Sequence, residues 1–404
     1  MSGVDGSHMT AVVLQGAARA RDAVRDCTPL PITGGRIAAT ALAHAHRVDL
    51  HDHLVFPGLI NAHDHLHLNA LPQLVDGAPF ANSYAWIDAL QARFEREDVA
   101  AALQVDKALR LRHGGLKNLL AGTTCVAHHD PWHATLDDAA FPVALLRESG
   151  WSYAPSGPAY GPPLRESHAA TPADRPWMIH LAEGTDAVAE AELDALDALG
   201  CFGANSVLVH GVGLRDADVE RIIARAAAVV WCPSSNLALL GRTLDPRRLN
   251  AAGRLALGTD SRVTGSRDLL EEWRAAAACS DLAADALLDL ATIRAADVLR
   301  LKGRGHLEPG AHADLIIVED RGGGAATNLV GLTRSEIRAV VRAGVPRIAD
   351  PDFAHWFAAA GVATCEVVLD GRRKLIDAAL ADPALLALEP GLEHPAFPRG
   401  EVQA

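Results

Sequence analysis

No apolar run in this chain approaches the roughly 18–20 residues required to cross a bilayer, and the N-terminus lacks the charged-then-apolar pattern of a secretory signal. Neither a membrane span nor a cleaved leader is expected. A basic block is also missing: the formal net charge is -13, spread diffusely, which argues against a nucleic-acid partner and mainly reports solubility. There is no C-x-x-C. The six cysteines, Cys27, Cys125, Cys201, Cys232, Cys279 and Cys365, are scattered and mostly apolar in context, so they read as reduced core residues of a cytoplasmic protein. Repeats and low-complexity tracts are absent apart from alanine-rich helices.

What is present suffices for a large core. Hydrophobic residues make up 49 % of 404 positions, which fits one large domain plus a small one. Gly6-Ser7-His8-Met9 resembles a cloning scar, so residues 1–9 read as a tail and His8 is excluded from any metal argument. Residues 10–56 contain short β-like pieces (11–14, 36–38, 47–50) between Gly and Pro turns. Residues 57–304 follow a helix-and-strand rhythm: helical spacing over 98–120, strands at 122–127, 151–154, 177–181, 206–210, 229–232 and 254–258, and helices over 187–199, 216–228, 268–278 and 283–301. Apolar strands alternating with amphipathic helices predict a parallel sheet, and about eight such units close into a (β/α)8 TIM-type barrel. Residues 305–404 turn back to strands (315–319, 337–348, 365–376), which can pair with the N-terminal ones. The expected fold class is therefore α/β, a distorted (β/α)8 barrel with a small β-sandwich domain built from both chain ends. Residues 69–88 form a long segment containing Pro72, Gly77, Pro79 and Trp86, of the kind that is usually functional when it interrupts a compact domain.

The chemistry centres on His63-Asp64-His65. His-x-His also occurs at His44/His46, His51/His53 and His65/His67, so spacing alone does not choose. The preceding Phe56-Pro57-Gly58-Leu59-Ile60 does: a turn and a short buried strand would aim His63 and His65 from one face. Two imidazoles are half of a metal site, so partners must come from other strand ends. Candidates there are His180 and Glu183 in Ile179-His180-Leu181-Ala182-Glu183, His210 before Gly211, and Asp260 in Gly258-Thr259-Asp260-Ser261. Three histidines and an aspartate can hold a divalent Zn or Fe ion that lowers the pKa of water towards ~7. A glutamate beside it can move protons, and a further histidine can hold the attacked centre. Singly, each residue reads more readily as structural; together, on successive strands, they read as a site.

With those residues in order, the chain resembles the amidohydrolase superfamily, in the mononuclear branch similar to cytosine, guanine and S-adenosylhomocysteine deaminases and to triazine chlorohydrolases. Supporting motifs are Gly122-Thr123-Thr124, Cys232-Pro233-Ser234-Ser235-Asn236-Leu237, Glu308-Pro309-Gly310 and Ala313-Asp314-Leu315. The resemblance implies metal ligands at His63, His65, His180 and Asp260, a proton shuttle at Glu183, catalytic participation of His210 and Asp260, and a distorted (β/α)8 barrel. The segment before His180 has no lysine where the binuclear branch places its bridging residue, so one divalent metal ion is expected, zinc first and iron second. The partner implied is a small-molecule substrate, with a homodimer admitted. Asn69, Trp86, His128, Tyr160, Ser235 and Arg262 are the substrate-contact candidates; Arg262, two residues past Asp260, suits a carboxylate or phosphate. The leading function is hydrolytic deamination of a heterocycle. Alternatives are hydrolysis of an amide or cyclic amide, ring dechlorination, or a non-catalytic barrel used for binding or assembly.

Overall fold

The computed structural model describes residues 11–21, 24–157 and 160–395, and the tail read at residues 1–9 lies outside them. Two compact units emerge, one from the described parts of Met1–Leu59 and Lys302–Ala404, the other Ile60–Leu301.

In the second unit, strands that are buried along almost their whole length alternate with helices, the pattern of a sheet covered on both faces. One sheet orders Ala144–Leu145, Thr123–His128 and Leu59–Asp64; another orders Gly150–Trp151, Trp177–Leu181, Ser206–His210, Ala228–Trp231 and Leu255–Leu257. Every registered pair here is parallel, with Leu181 opposite His210 and Trp231 opposite Leu257. Parallel neighbours need crossover connections, and helices such as Ala187–Ala198 and Asp216–Ala224 supply them. Because the strands run the same way, their C-terminal ends gather His180, His210 and the Gly258–Asp260 turn on one side. The Asp260 amide donates to the His63 carbonyl at 3.1 Å, joining the last strand of the larger sheet to Leu59–Asp64. Gly258 permits this approach, since a Cβ there would lie 2.8 Å from the His63 backbone nitrogen.

The helix expected over 98–120 is two helices, Glu97–Gln104 and Lys107–Leu120, because Asp106 caps the second by accepting from the Ala108 and Leu109 amides. The strand expected at 151–154 is only Gly150–Trp151. The segment expected to be loop at 69–88 ends in a helix, Ser83–Gln91, capped by Asn82.

The first unit holds a four-stranded and a nine-stranded sheet. Val12, Leu14 and Ile32 of the former share one apolar cluster with Val55, Leu315, Ile317 and Val341 of the latter. The single strands expected at 337–348 and 365–376 are hairpins, Ala339–Arg342 with Val345–Ala349 and Thr364–Leu369 with Arg372–Asp377. Their turns, Ala343-Gly344 and Asp370-Gly371, have positive φ at both residues, the geometry that suits the twist of paired strands. Among the described residues no helix is long and apolar enough to cross a membrane, and all six cysteines are free.

Candidate metal and catalytic site

Three imidazoles converge, and each has its tautomer set by a partner behind it. His129 Nε2 lies 3.0 Å from the Ser152 carbonyl oxygen, which can only accept, so that nitrogen carries the proton and His129 Nδ1 keeps a lone pair. His63 Nδ1 lies 3.4 Å from that lone pair and donates to it, leaving His63 Nε2 unprotonated. His180 Nδ1 donates to the Tyr153 carbonyl at 2.9 Å and His65 Nδ1 to Asp130 Oδ2 at 2.8 Å, so their Nε2 atoms are also free to coordinate. His63 Nε2 is buried without a hydrogen-bond partner.

The ligand atoms of His63, His65 and His180 lie within 4.8 Å of one another. His65 Nε2 faces His180 Nε2 at 3.2 Å, and Asp260 Oδ1 lies 3.7 Å from His65 Nε2 and 3.8 Å from His63 Nε2. Around a five-coordinate zinc with ~2.1 Å bonds, neighbouring ligand atoms stand about 3.0–3.6 Å apart, so this four-donor set fits such an ion with modest adjustment and leaves a position for water. Only a proton or a cation relieves two lone pairs facing each other at that range. Burial holds the pKa of His63 and His180 well below the usual imidazole range. It pulls on His65 too, yet Asp130, Asp260 and Asp64 outweigh it and push His65 up to about 9. The local potential thus favours positive charge, and a divalent ion competes with the proton for the same nitrogen.

Asp260 is held firmly: Ser235 Oγ and Thr264 Oγ1 donate to its Oδ2 at 2.7 and 2.8 Å, and the Ser261 amide donates to Oδ1 at 2.7 Å. Burial opposes its ionisation, but His65, His210 and these hydroxyls keep its pKa below the ordinary carboxylate range. Glu183 and His210 face each other, Oε1 to Nε2 at 3.5 Å. His210 Nδ1 donates to Asn236 Oδ1 at 2.9 Å, because the Asn236 amide nitrogen is engaged by Thr243. Burial raises the pKa of Glu183, as a group that must carry a proton part of the time requires. Ala182, His210 and Asp260 all have left-handed backbones, φ 54°, 77° and 55°. Each non-glycine residue so placed costs on the order of 1–3 kcal/mol, strain characteristic of functional strand ends.

Behind the histidines lies a closed polar network. Lys117 Nζ donates to Asp64 Oδ2 at 3.0 Å and Asn69 Oδ1 at 3.1 Å, with both charged side chains fully buried. Asn61 Oδ1 accepts from the His63 and Thr259 amides, tying the two ligand-bearing strand ends together.

The candidate substrate contacts separate into groups. Asn69 is committed to Asp64, Lys117 and the Arg262 amide, and Ser235 to Asp260, so both serve the framework in this structure. Trp86 donates through Nε1 to the Leu74 carbonyl at 2.8 Å and packs with Leu71 and Val99. Tyr160 donates to Asp130 Oδ1 at 2.9 Å. His128 Nε2 is buried without a hydrogen-bond partner. Arg262 lines a cavity of about 490 Å³ with Gln73, Ser234, Thr264 and Arg267, and its Nε donates to the Arg267 carbonyl. Arg267 pairs with Asp268 and Glu271. Sequence reasoning missed His129, Asp130 and Lys117. The first two were visible as neighbours of His128 at a strand end, but nothing in the spacing showed that they orient His63 and His65.

The Amidohydrolase family model matches residues 164–347. A relative from Haloarcula marismortui, named 5-methylthioadenosine/S-adenosylhomocysteine deaminase, is 25 % identical over 327 residues, covering 67 % of this chain and 74 % of its own. One of the same name from Nitratidesulfovibrio vulgaris Miyazaki F is 27 % identical over 351 residues, covering 74 % and 78 %. Over residues 164–347 the chain is similar to the Amidohydrolase family, and both relatives are similar to it over two thirds or more of its length. Solved structures are similar to it in fold. An adenosine deaminase from Xanthomonas campestris with bound zinc superposes with a TM-score of 0.70 at 21 % identity, over 87 % of this chain and 97 % of its own. The atrazine chlorohydrolase of Arthrobacter aurescens TC1, complexed with zinc, gives 0.64 at 18 %, over 86 % and 100 %.

Proposed function

We propose that this chain is an amidohydrolase, a metal-dependent hydrolase that deaminates a heterocyclic small molecule, using one divalent ion, zinc before iron, held by His63, His65, His180 and Asp260. The observation that carries the reading is the convergence of three tautomer-fixed Nε2 lone pairs and an aspartate oxygen, with the Glu183–His210 pair from neighbouring strand ends. When bound by these residues, a divalent ion would lower the pKa of water towards ~7 and so make it a nucleophile at neutral pH. Glu183 moves protons: expelling ammonia from an amidine-like carbon requires protonating a ring nitrogen and then the amine, and a buried carboxyl with a raised pKa suits both transfers. His210, fixed by Asn236, orients Glu183 and the attacked centre. Ser235 and Thr264 keep Asp260 from rotating, so that Oδ1 stays towards the imidazoles.

The larger unit reads as a closed (β/α)8 barrel, supported by the Asp260-to-His63 hydrogen bond between its two sheets. The smaller unit reads as a sandwich, supported by the apolar cluster its sheets share. Six free cysteines fit the reducing cytoplasm.

The substrate class turns on Arg262, whose cavity also contains Thr264, a partner of Asp260. A guanidinium there suits an anionic substituent. The test is ammonia release from a panel of neutral and carboxylated amino-heterocycles, with 5-methylthioadenosine and S-adenosylhomocysteine included because the relatives bear those names. Arg262→Met is expected to raise KM for carboxylated substrates by about tenfold or more, the loss typical of one charge-assisted contact, while leaving kcat near wild type. Preference for neutral bases with an unaffected variant would remove the anion role. No ammonia from any amino-heterocycle would remove the deaminase reading.

A further inference from the structure

A second group of metal-ligating side chains shares Asp130 with the first site. The ligand atoms of His67, His128 and Asp130 all lie within 4.8 Å of one another. His67 Nδ1 stands 3.4 Å from Asp130 Oδ2, the ~3.4 Å edge expected between two ligands of a tetrahedral ion with ~2.1 Å bonds. His128 Nε2 is buried with no hydrogen-bond partner, which is costly for a polar nitrogen unless something else engages it, and the one contact of His67 Nδ1 is the 3.4 Å approach to Asp130. The Leu66 amide donates to His128 Nδ1 at 3.4 Å, a long and weak bond that an ion on His128 Nε2 would have to displace.

We propose that His67, His128 and Asp130 form a second divalent-cation site, for zinc or another ion that accepts imidazole and carboxylate, linked to the first through Asp130. Three protein ligands leave room for water or a substrate oxygen, and Asp130 already accepts from His65 at 2.8 Å and from Tyr160 at 2.9 Å. Its carboxylate is therefore shared, and the second ion binds more weakly than the first. This inference does not depend on which bond the enzyme hydrolyses.

The experiment strips the full-length protein with a chelator and titrates it with zinc by equilibrium dialysis and calorimetry, with circular dichroism confirming the fold of each variant. Wild type is expected to take up two equivalents, one tight and one weak. His67→Ala and His128→Asn should each lose the weak equivalent and keep the tight one. His63→Ala/His65→Ala should lose the tight equivalent and keep a weak one, so failure of the first site and failure of the second read out separately. Should one of the single variants misfold, the other decides. Saturation of wild type at one equivalent, or two equivalents in a folded His67→Ala or His128→Asn protein, overturns the second site.

Discussion

Glu183→Gln lowers kcat by about 10²–10⁴-fold, the range that a positioned general acid–base contributes, with bound metal and folding unchanged. The amide keeps the size of the carboxyl and can still contact Ser83, one of the partners of Glu183. What it cannot do is accept a proton from water and pass it to a ring nitrogen or a departing amine. Glu183 lies 3.5 Å from His210 and is outside the converging group of His63, His65 and His180, so its replacement should leave metal content intact. KM should change little, because the lost function belongs to the transition state and not to binding. Steady-state ammonia release alongside elemental analysis checks both halves; turnover within a few-fold of wild type would make Glu183 structural.

The second large effect is on stability. Lys117→Met leaves the fully buried Asp64 carboxylate without its cation, and breaking a buried pair from one side costs about 3–5 kcal/mol. Asn69, Asn118 and Asn61 still donate to Asp64 at 2.7, 2.8 and 3.2 Å, but amides solvate the charge without neutralising it. Asp64 sits between His63 and His65, so the loss should also weaken metal binding. Denaturant unfolding measures the cost. The double variant Lys117→Met/Asp64→Asn should recover much of it, since no charge is then stranded. A single-variant loss below about 1 kcal/mol would show that the pair is dispensable.

How much of this could be read from sequence depends on how local each signal is. Strands at 177–181 and 206–210 coincide with Trp177–Leu181 and Ser206–His210, because short apolar runs between turns and helices leave little choice of boundary. The two C-terminal hairpins were read as single strands although Asp370-Gly371 is a strong turn signal, which a continuous apolar pattern on either side obscured. The converging residues at the strand ends were legible because each follows an apolar strand. Their supports were not. His129 sits behind His63 through a ring-to-ring hydrogen bond, and Lys117 reaches Asp64 across 53 positions from the last turn of a helix. Such contacts depend on tertiary packing, which spacing along the chain does not encode. Asn69 and Ser235 show the converse: expected as substrate contacts, they hold other side chains, Asp64 and Asp260, in this structure.

In the proposed mechanism His63 and His65 belong to one tight metal centre. Its most direct test is the metal content of protein dialysed against metal-free buffer, which removes weakly held ions, for wild type and for His63→Ala/His65→Ala. One zinc or iron per wild-type chain and none in a folded double variant are expected, with activity lost alongside. One tightly held ion per chain in that variant would contradict it.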